Sequence, residues 1–395
     1  MKKHLLSTSA IALGVAAAAP AAAQEWDVSF GGFMSQHVAY ADLSGSALNP
    51  GGDYDGVDIH SNTEIIFTPS ITLDNGLTFG VNVQLEGEQN NFGEIDESYM
   101  TISSDTLGQI IIGSENSAGY KSMVGAPGVT SMYINSPSIS TFIPFSLAYP
   151  GGFRQAGLSS FTEVAGNNDV QRLTYFTPSF NGLTLGISYA PEGVGNVANS
   201  YGTDRDTVLS DIFDIGVNYS QTFGTTSVTL SARYGIGSAP SIIPAVAANA
   251  GPDGLDSTAD DVAATAAALN PNSDPETWGV GAQIGFADFT FGASYTENDN
   301  GVAGGAGDSQ GWSLGMTYDI AGPWAIEALT YQGEVDTGAS NADYEAYRIG
   351  ASRDLGPGVD WDIYVVQLSA DNGGIGLANR DVDGTIIGTG INLSF

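Results

Sequence analysis

Few side chains in this sequence could do chemistry, and their signs are lopsided. Of 395 residues, 44 are Asp or Glu, 10 are Lys or Arg, 3 are His, and none is Cys. Without thiols there is no thiolate nucleophile and no disulfide framework. His4, His37 and His60 stand in no metal-ligand spacing and beside no serine that would complete a nucleophile–base pair. No catalytic residue is assigned, and the reading is not that of an enzyme. The charges that remain can act on ions. The carboxylates are Glu64, Glu86, Glu115, Asp214 and Asp319, and the basic groups are Lys121, Arg154, Arg172, Arg233 and Arg348. Set around a narrow aqueous path, such charges select solutes by sign. A separate cluster, Asp253, Asp256, Asp260 and Asp261 in "GPDGLDSTADD" (251–261), offers hard oxygen ligands of the kind Ca²⁺ takes, although the spacing departs from the EF-hand pattern. No other cofactor is expected.

The overall charge narrows the partners. A formal charge of −34 argues against nucleic acid and other polyanions. Two of the ten basic residues, Lys2 and Lys3, head an apolar stretch that ends in Ala21-Ala22-Ala23. This is the layout of a secretory leader cleaved after Ala23, and its apolar run is too short to span a bilayer. Residues 1–23 are therefore read as a signal peptide and 24–395 as one domain. With 42% apolar residues and 53 glycines, the domain is not an acidic disordered chain. No later window holds the apolar run of a membrane helix.

The elements that must position these charges are strands. "LTFGVNVQLEGE" sets Leu77, Phe79, Val81, Val83 and Leu85 on one face, with Thr78, Gly80, Asn82, Gln84 and Glu86 on the other. "LTLGISY" (183–189), "WGVGAQIGF" from Trp278, "FTFGASY" from Phe289 and "WSLGMTYD" from Trp312 repeat this two-residue period. Tight-turn residues stand at 74–76, 105–108, 181–182, 224–225, 287–288, 321–323 and 356–358, supplying the positive or fixed φ that hairpins need. Longer polar connections run near 42–56, 89–94, 115–168, 191–210, 238–275, 298–308, 335–342 and 371–382. Short and long connections alternate, which predicts sixteen strands with every long loop at one end. A sandwich gives no reason for that asymmetry, whereas a transmembrane barrel has short periplasmic turns and long external loops. Aromatics near strand ends (Trp26, Tyr40, Tyr189, Phe223, Tyr295, Trp324 and Trp361) suit the two membrane interfaces. The terminal "TIIGTGINLSF" (385–395) alternates as well. In hydrocarbon it cannot be left as an edge, so it is expected to pair with the strand around "EWDVSFGGF" (25–33) and close the cylinder, with Phe395 at the periplasmic interface.

The third connection, 115–168, is the longest, and a loop of this length is functional or disordered. Its stretch "YINSPSISTFIPFSLAYP" (133–150) is too apolar to lie free in water, which favours the lumen over an external cap. A short helix is expected at "ADDVAATAAALN" (259–270) in the fifth loop.

Three stretches resemble the Gram-negative general porins, in particular their sixteen-stranded alphaproteobacterial group. They are "NTEIIFTPSITLDNGLTFGVNVQLE" (62–86), "GQIIIGSENSAGYKSMVGAPG" (108–128) and "RLTYFTPSFNGLTLGISYAP" (172–191). The resemblance implies an all-β, sixteen-stranded antiparallel transmembrane β-barrel with an inward-folded third loop. It also implies a homotrimer in the outer membrane, in contact with the lipid bilayer and lipopolysaccharide. Phe395 is similar to the signal that the outer-membrane assembly machinery reads. In the family, wall arginines face carboxylates on the inward loop. Arg172 matches that pattern best, while the second strand carries Asn62 and Glu64 where relatives tend to carry arginine. The implied function is passive diffusion of small hydrophilic solutes and ions, with cation preference expected from the acidic lumen faces. A substrate-selective channel and a structural or adhesive surface barrel are the alternatives. The 251–261 carboxylates, if they hold no Ca²⁺ of their own, could be solvated or could bridge to lipopolysaccharide phosphates through divalent ions.

Overall fold

A computed structural model describes residues 25–48, 53–87, 95–132, 142–143, 162–193, 202–243, 267–338, 340–373 and 380–395. The leader, Arg154 and the 251–261 carboxylates lie outside these residues. Sixteen strands follow one another around a cylinder. The first eight are β1 (Phe30–Ser44), β2 (Gly56–Phe67), β3 (Thr78–Glu86), β4 (Ile95–Ser104), β5 (Gly108–Glu115), β6 (Val170–Phe176), β7 (Leu183–Glu192) and β8 (Ser210–Phe223). The second eight are β9 (Thr226–Ser238), β10 (Glu276–Phe286), β11 (Phe289–Asp299), β12 (Ser309–Asp319), β13 (Trp324–Asp336), β14 (Asn341–Gly356), β15 (Val359–Asp371) and β16 (Asp381–Ser394). Each pairs antiparallel with the next, and β1 pairs with β16 from Phe33↔Ser394 to Ser44↔Asp383. The Gly32 N–H donates to the Phe395 carbonyl, and the Phe395 N–H to that of Gly32, each at 3.1 Å. The expected closure is present, and every strand of the cylinder is paired on both sides, as a sheet surrounded by lipid requires.

The expected turns join the strands at one end. At 180–183 the Asn181 and Gly182 φ angles are 50° and 87°, and Phe180 and Leu183 exchange both backbone hydrogen bonds. Positive φ at both central residues defines a type I′ hairpin turn, which is why Asn-Gly stands there. Pro69, with no N–H to donate, interrupts β2 before Ser70–Thr72 resumes the pairing with β3. In the fifth loop, Ile242–Ile243 pairs with Ala268–Leu269. The end of the segment expected to be helical is thus extended, and its earlier part lies outside the described residues.

The outer face is apolar and ringed by aromatics. Val38, Ile187, Ile215, Leu230, Phe291, Ile349 and Ile387 all point outward and are exposed. Phe289 and Tyr318 stack at 4.4 Å, and Trp324 meets Trp361 at 5.6 Å, near the short-turn end. Trp278 and Tyr295, at 5.3 Å, lie near the opposite end. Two girdles bounding an apolar band are what a bilayer interface selects.

The inner face is not uniformly polar. On β13–β16 and the upper part of β1, the inward residues include Ala39, Ala41, Leu43, Leu329, Tyr331, Tyr344, Ala346, Tyr364, Val366, Leu368, Val382 and Ile386. All of these are buried, and together they form an apolar cluster inside the barrel.

Candidate pore constriction

The third connection enters the lumen at the end of β5. Ser117 begins a short helix, α1 (Ala118–Ser122): its Oγ accepts the Tyr120 N–H at 3.2 Å, and its own N–H donates to the Glu163 carboxylate. A serine at this position satisfies one of the helix's orphan donors. From α1 the chain crosses the inner wall strand by strand. Asn218 (β8) donates to the Ser122 carbonyl at 2.8 Å, and Ser231 (β9) accepts the Val124 N–H at 3.0 Å. Gln283 (β10) donates to the Gly125 carbonyl at 2.9 Å, and Ser313 (β12) accepts the Ala126 N–H at 3.1 Å. Glu327 (β13) accepts the N–H groups of Val129 and Thr130 at 2.6 and 3.2 Å and the Thr130 hydroxyl at 2.7 Å. Asp362 (β15) accepts the N–H and hydroxyl of Ser131 at 2.7 and 2.5 Å. Met132, Phe142 and Ile143 then join the apolar cluster, and the Phe142 ring meets His60 (β2) edge-on at 5.0 Å. Irregular backbone at membrane depth needs protein partners for its polar groups. The wall supplies them side chain by side chain.

Glycines make this approach possible. A Cβ at Gly281 would strike the Val124 carbonyl, one at Gly292 the Gly125 carbonyl, and one at Gly216 would lie 2.5 Å from the Ala118 carbonyl. The small inward residues of β8–β11 thus form a track into which the loop backbone settles.

The wall arginines point inward, as alternation requires, and the loop covers them. Arg348 Nε lies 2.6 Å from Glu327, Arg233 lies 2.8 Å from Asp214, and Arg172 lies 3.8 Å from the loop's Glu163. Arg172 also donates to the Asn167 carbonyl at 2.7 Å. All six side chains are at least 98% buried. Buried ions of this kind stand only when paired and hydrogen-bonded. Burial pushes the Glu163 carboxyl above the usual range, opposed by the Arg172 and Arg233 charges.

The acidic groups occupy the other side of the lumen. Glu64 and Glu86 are direct register partners on β2 and β3. They are half-buried, with Asn62, Asn82, Gln84, Asp96 and Tyr99 in the same state around them. Glu97 accepts from Gln84 at 2.6 Å and from Asn116 at 2.9 Å. Lys121 lies 2.7 Å from Glu115 and 5.9 Å from the centre of the Tyr99 ring, so this loop cation is neutralised on the acidic side. Asp169, at the foot of the loop, accepts from Asn116 and Asn168. Burial, then the charges of Asp96 and Glu163, holds its carboxyl up at about 7.

Of the residues singled out in the sequence, Glu64, Glu86, Glu115 and Lys121 gather at β2–β5. Arg172, Arg233 and Arg348 instead lie under the loop. Glu163, Glu327 and Asp362, which hold the loop or its arginines, had not been singled out. Glu327 sits on a strand whose inward neighbours Ala325, Leu329 and Tyr331 are apolar, so alternation there does not tell the inner face from the outer one.

The sequence from 7 to 373 matches the family model for Gram-negative porins. A search among curated proteins gives no match. Among solved structures, the chain is similar to OmpT, an outer-membrane protein of Vibrio cholerae in trimer form. The identity is 13% and the TM-score 0.59, with 94% of this chain and 99% of that one covered. It is also similar to an anion-selective porin from Comamonas acidovorans, at 14% identity and a TM-score of 0.56, covering 94% and 100%. A variant of the Rh. blastica porin aligns at 17% identity and a TM-score of 0.50, covering 93% and 100%. A closed sixteen-stranded barrel, a long loop bound within it and the matching family model make this chain a member of the Gram-negative porin family, a channel of the outer membrane.

Proposed function

We propose that the chain is a general diffusion porin for small hydrophilic solutes, that it prefers cations, that it is no enzyme, and that it works as a homotrimer. The observation that carries the cation preference is the asymmetry of the lumen. The described part of the loop is bound along β6–β16 and covers three arginines held in buried ion pairs, one with the loop's Glu163 and two with the wall's Asp214 and Glu327. The half-buried wall of β2–β4 keeps Glu64, Glu86 and Asp96. A path along that wall attracts cations, because carboxylates facing confined water focus a negative potential. Fold alone does not assign the sign, since the similar Comamonas channel is described as anion-selective. The trimer is supported by the trimer form of the Vibrio relative. A leader over 1–23, recognition of Phe395 by the assembly machinery, contact with lipopolysaccharide and Ca²⁺ at 251–261 belong to the same proposal.

Reversal potentials across a planar bilayer in a salt gradient test this reading. The wild-type channel is expected to favour cations, and Glu64→Gln with Glu86→Gln is expected to lower that preference several-fold. Lowering the pH from 8 to 6 protonates Asp169, whose carboxyl is held near 7, and weakens the preference in the same direction. An anion-favouring potential would overturn the selectivity, and no conductance step at all would favour a closed structural barrel.

A further inference from the structure

One arginine faces lipid. Across three neighbouring strands a row of outward residues reads Trp324 on β13, Arg353 on β14 and Trp361 on β15, each the register partner of the next. Their parity follows from the buried, inward Arg348 and Ser352 of β14 and Asp362 of β15. The row stands just before the 356–358 turn, at the level of the short-turn girdle. The Arg353 guanidinium lies over the Trp324 ring, 5.6 Å from its centre. Trp361 Nε1 donates to Thr389 Oγ1 on β16 at 2.8 Å, which fixes the second ring. Lys121, Arg172, Arg205, Arg233 and Arg348 each have a carboxylate partner. Arg353 makes no ion pair and no side-chain hydrogen bond among the described residues, and its Nε is buried without a partner. The adjacent Asp354 and its register partner Asp360 belong to the inward parity, and Asp354 accepts the Gly356 N–H at 2.8 Å instead. One row deeper, Ile326, Ala351 and Ile363 are register partners, so the small Ala351 leaves a low strip between two isoleucines, running from Arg353 into the apolar band.

A guanidinium carries five N–H donors and no acceptor. Acyl chains give those donors nothing, and a charge facing them is expensive. An arginine at an interface lays its stem along apolar surface and brings its fork to the headgroups. Stacking on Trp324 orients the plane of that fork, and a planar fork matches two oxygens of a phosphate. In a chain of formal charge −34, Arg353 is the only basic residue on the outer wall at the short-turn end among the described residues. An anion on that wall therefore has one cation to meet. We propose that Trp324, Arg353 and Trp361 form a binding site for the phosphate of a glycerophospholipid in the periplasmic leaflet, with an acyl chain lying along the strip at Ala351. The strip favours a lipid over a soluble anion, because it joins the phosphate position to the hydrocarbon band. This rests on the membrane barrel alone and is independent of the ion selectivity proposed above.

Native mass spectrometry of the folded protein, released from detergent micelles that contain phosphatidylglycerol, tests the site. The wild type is expected to retain phosphatidylglycerol, and Arg353→Gln to retain at least threefold less. Arg353→Lys, which keeps the charge without the fork, should fall between them. Arg380→Gln, the same loss of charge at the long-loop end, should match the wild type. The heat-resistant folded fraction is read on the same samples. If Arg353→Gln does not fold, Arg353→Lys and Trp324→Leu carry the comparison. Equal retention by the wild type and the position-353 variants would overturn the site. Equal retention of diacylglycerol, which lacks the phosphate, would reduce it to acyl contact and overturn it too. Displacement of the lipid by inorganic phosphate would assign the arginine to a soluble anion and overturn the lipid as its ligand.

Discussion

At the scale of single residues, the arginines of the inner wall hold the loop by neutralising its carboxylate anchors. Glu327 accepts three hydrogen bonds from Val129 and Thr130 while paired with Arg348 at 2.6 Å. Removing one member of a buried pair leaves the other charge uncompensated, at a cost of about 3–5 kcal/mol. Arg348→Met is therefore expected to destabilise the barrel by about 3 kcal/mol, measured by urea unfolding in lipid vesicles. Glu327→Gln combined with it should recover part of the loss. An unchanged midpoint for the single variant would mean that the pair contributes nothing to anchoring. The inward parity of Arg172, Arg233 and Arg348 was legible in the sequence. Their burial was not, because it depends on a loop that returns from elsewhere in the chain.

At the scale of elements, the strands serve two solvents with one alternation. Outward positions are apolar because they meet lipid. Inward positions on β8–β11 are small and polar because loop backbone lies against them, with Gly216, Gly281 and Gly292 at the points of closest approach. Gly281→Val places side-chain atoms where the Val124 carbonyl now sits. The barrel is expected to assemble but to displace the loop, giving a single-channel conductance altered by at least a third and noisier open states. Recordings indistinguishable from wild type would show that the loop does not depend on this track. The inward faces of β13–β16 break the polar pattern, since they pack against Met132, Phe142 and Ile143 and exclude water there. Strand positions could be read from periodicity and turns. The apolar inner face could not, because a side chain buried under a loop and one facing lipid look alike in sequence.

At the scale of the whole molecule, closure is the condition for residence in the membrane. The β1–β16 seam completes a sheet with no free edge, and the outward residues of β16 (Ile387, Ile391 and Leu393) form part of the lipid-facing band. A lysine on the lipid face near the bilayer midplane costs about 2–4 kcal/mol. Ile387→Lys should therefore reduce the heat-resistant folded fraction on gels, whereas Gly388→Ser, on the inward face, would fail for another reason, since a Cβ there meets the Tyr364 ring. Equal folding of Ile387→Lys and wild type would argue that this face does not meet lipid.

The sequence by itself determined the number of strands, the alternation of short and long connections, the closing seam and the excess of acidic over basic residues. Each is written in local spacing, in a two-residue period, in turn residues with positive φ, or in charge counts. Only the tertiary structure decided which wall the third loop covers, which carboxylates neutralise the arginines, and which acids gather on the opposite wall. Those outcomes depend on groups far apart in the chain meeting across a cavity, where burial and pairing, not residue type, set what a charge can do.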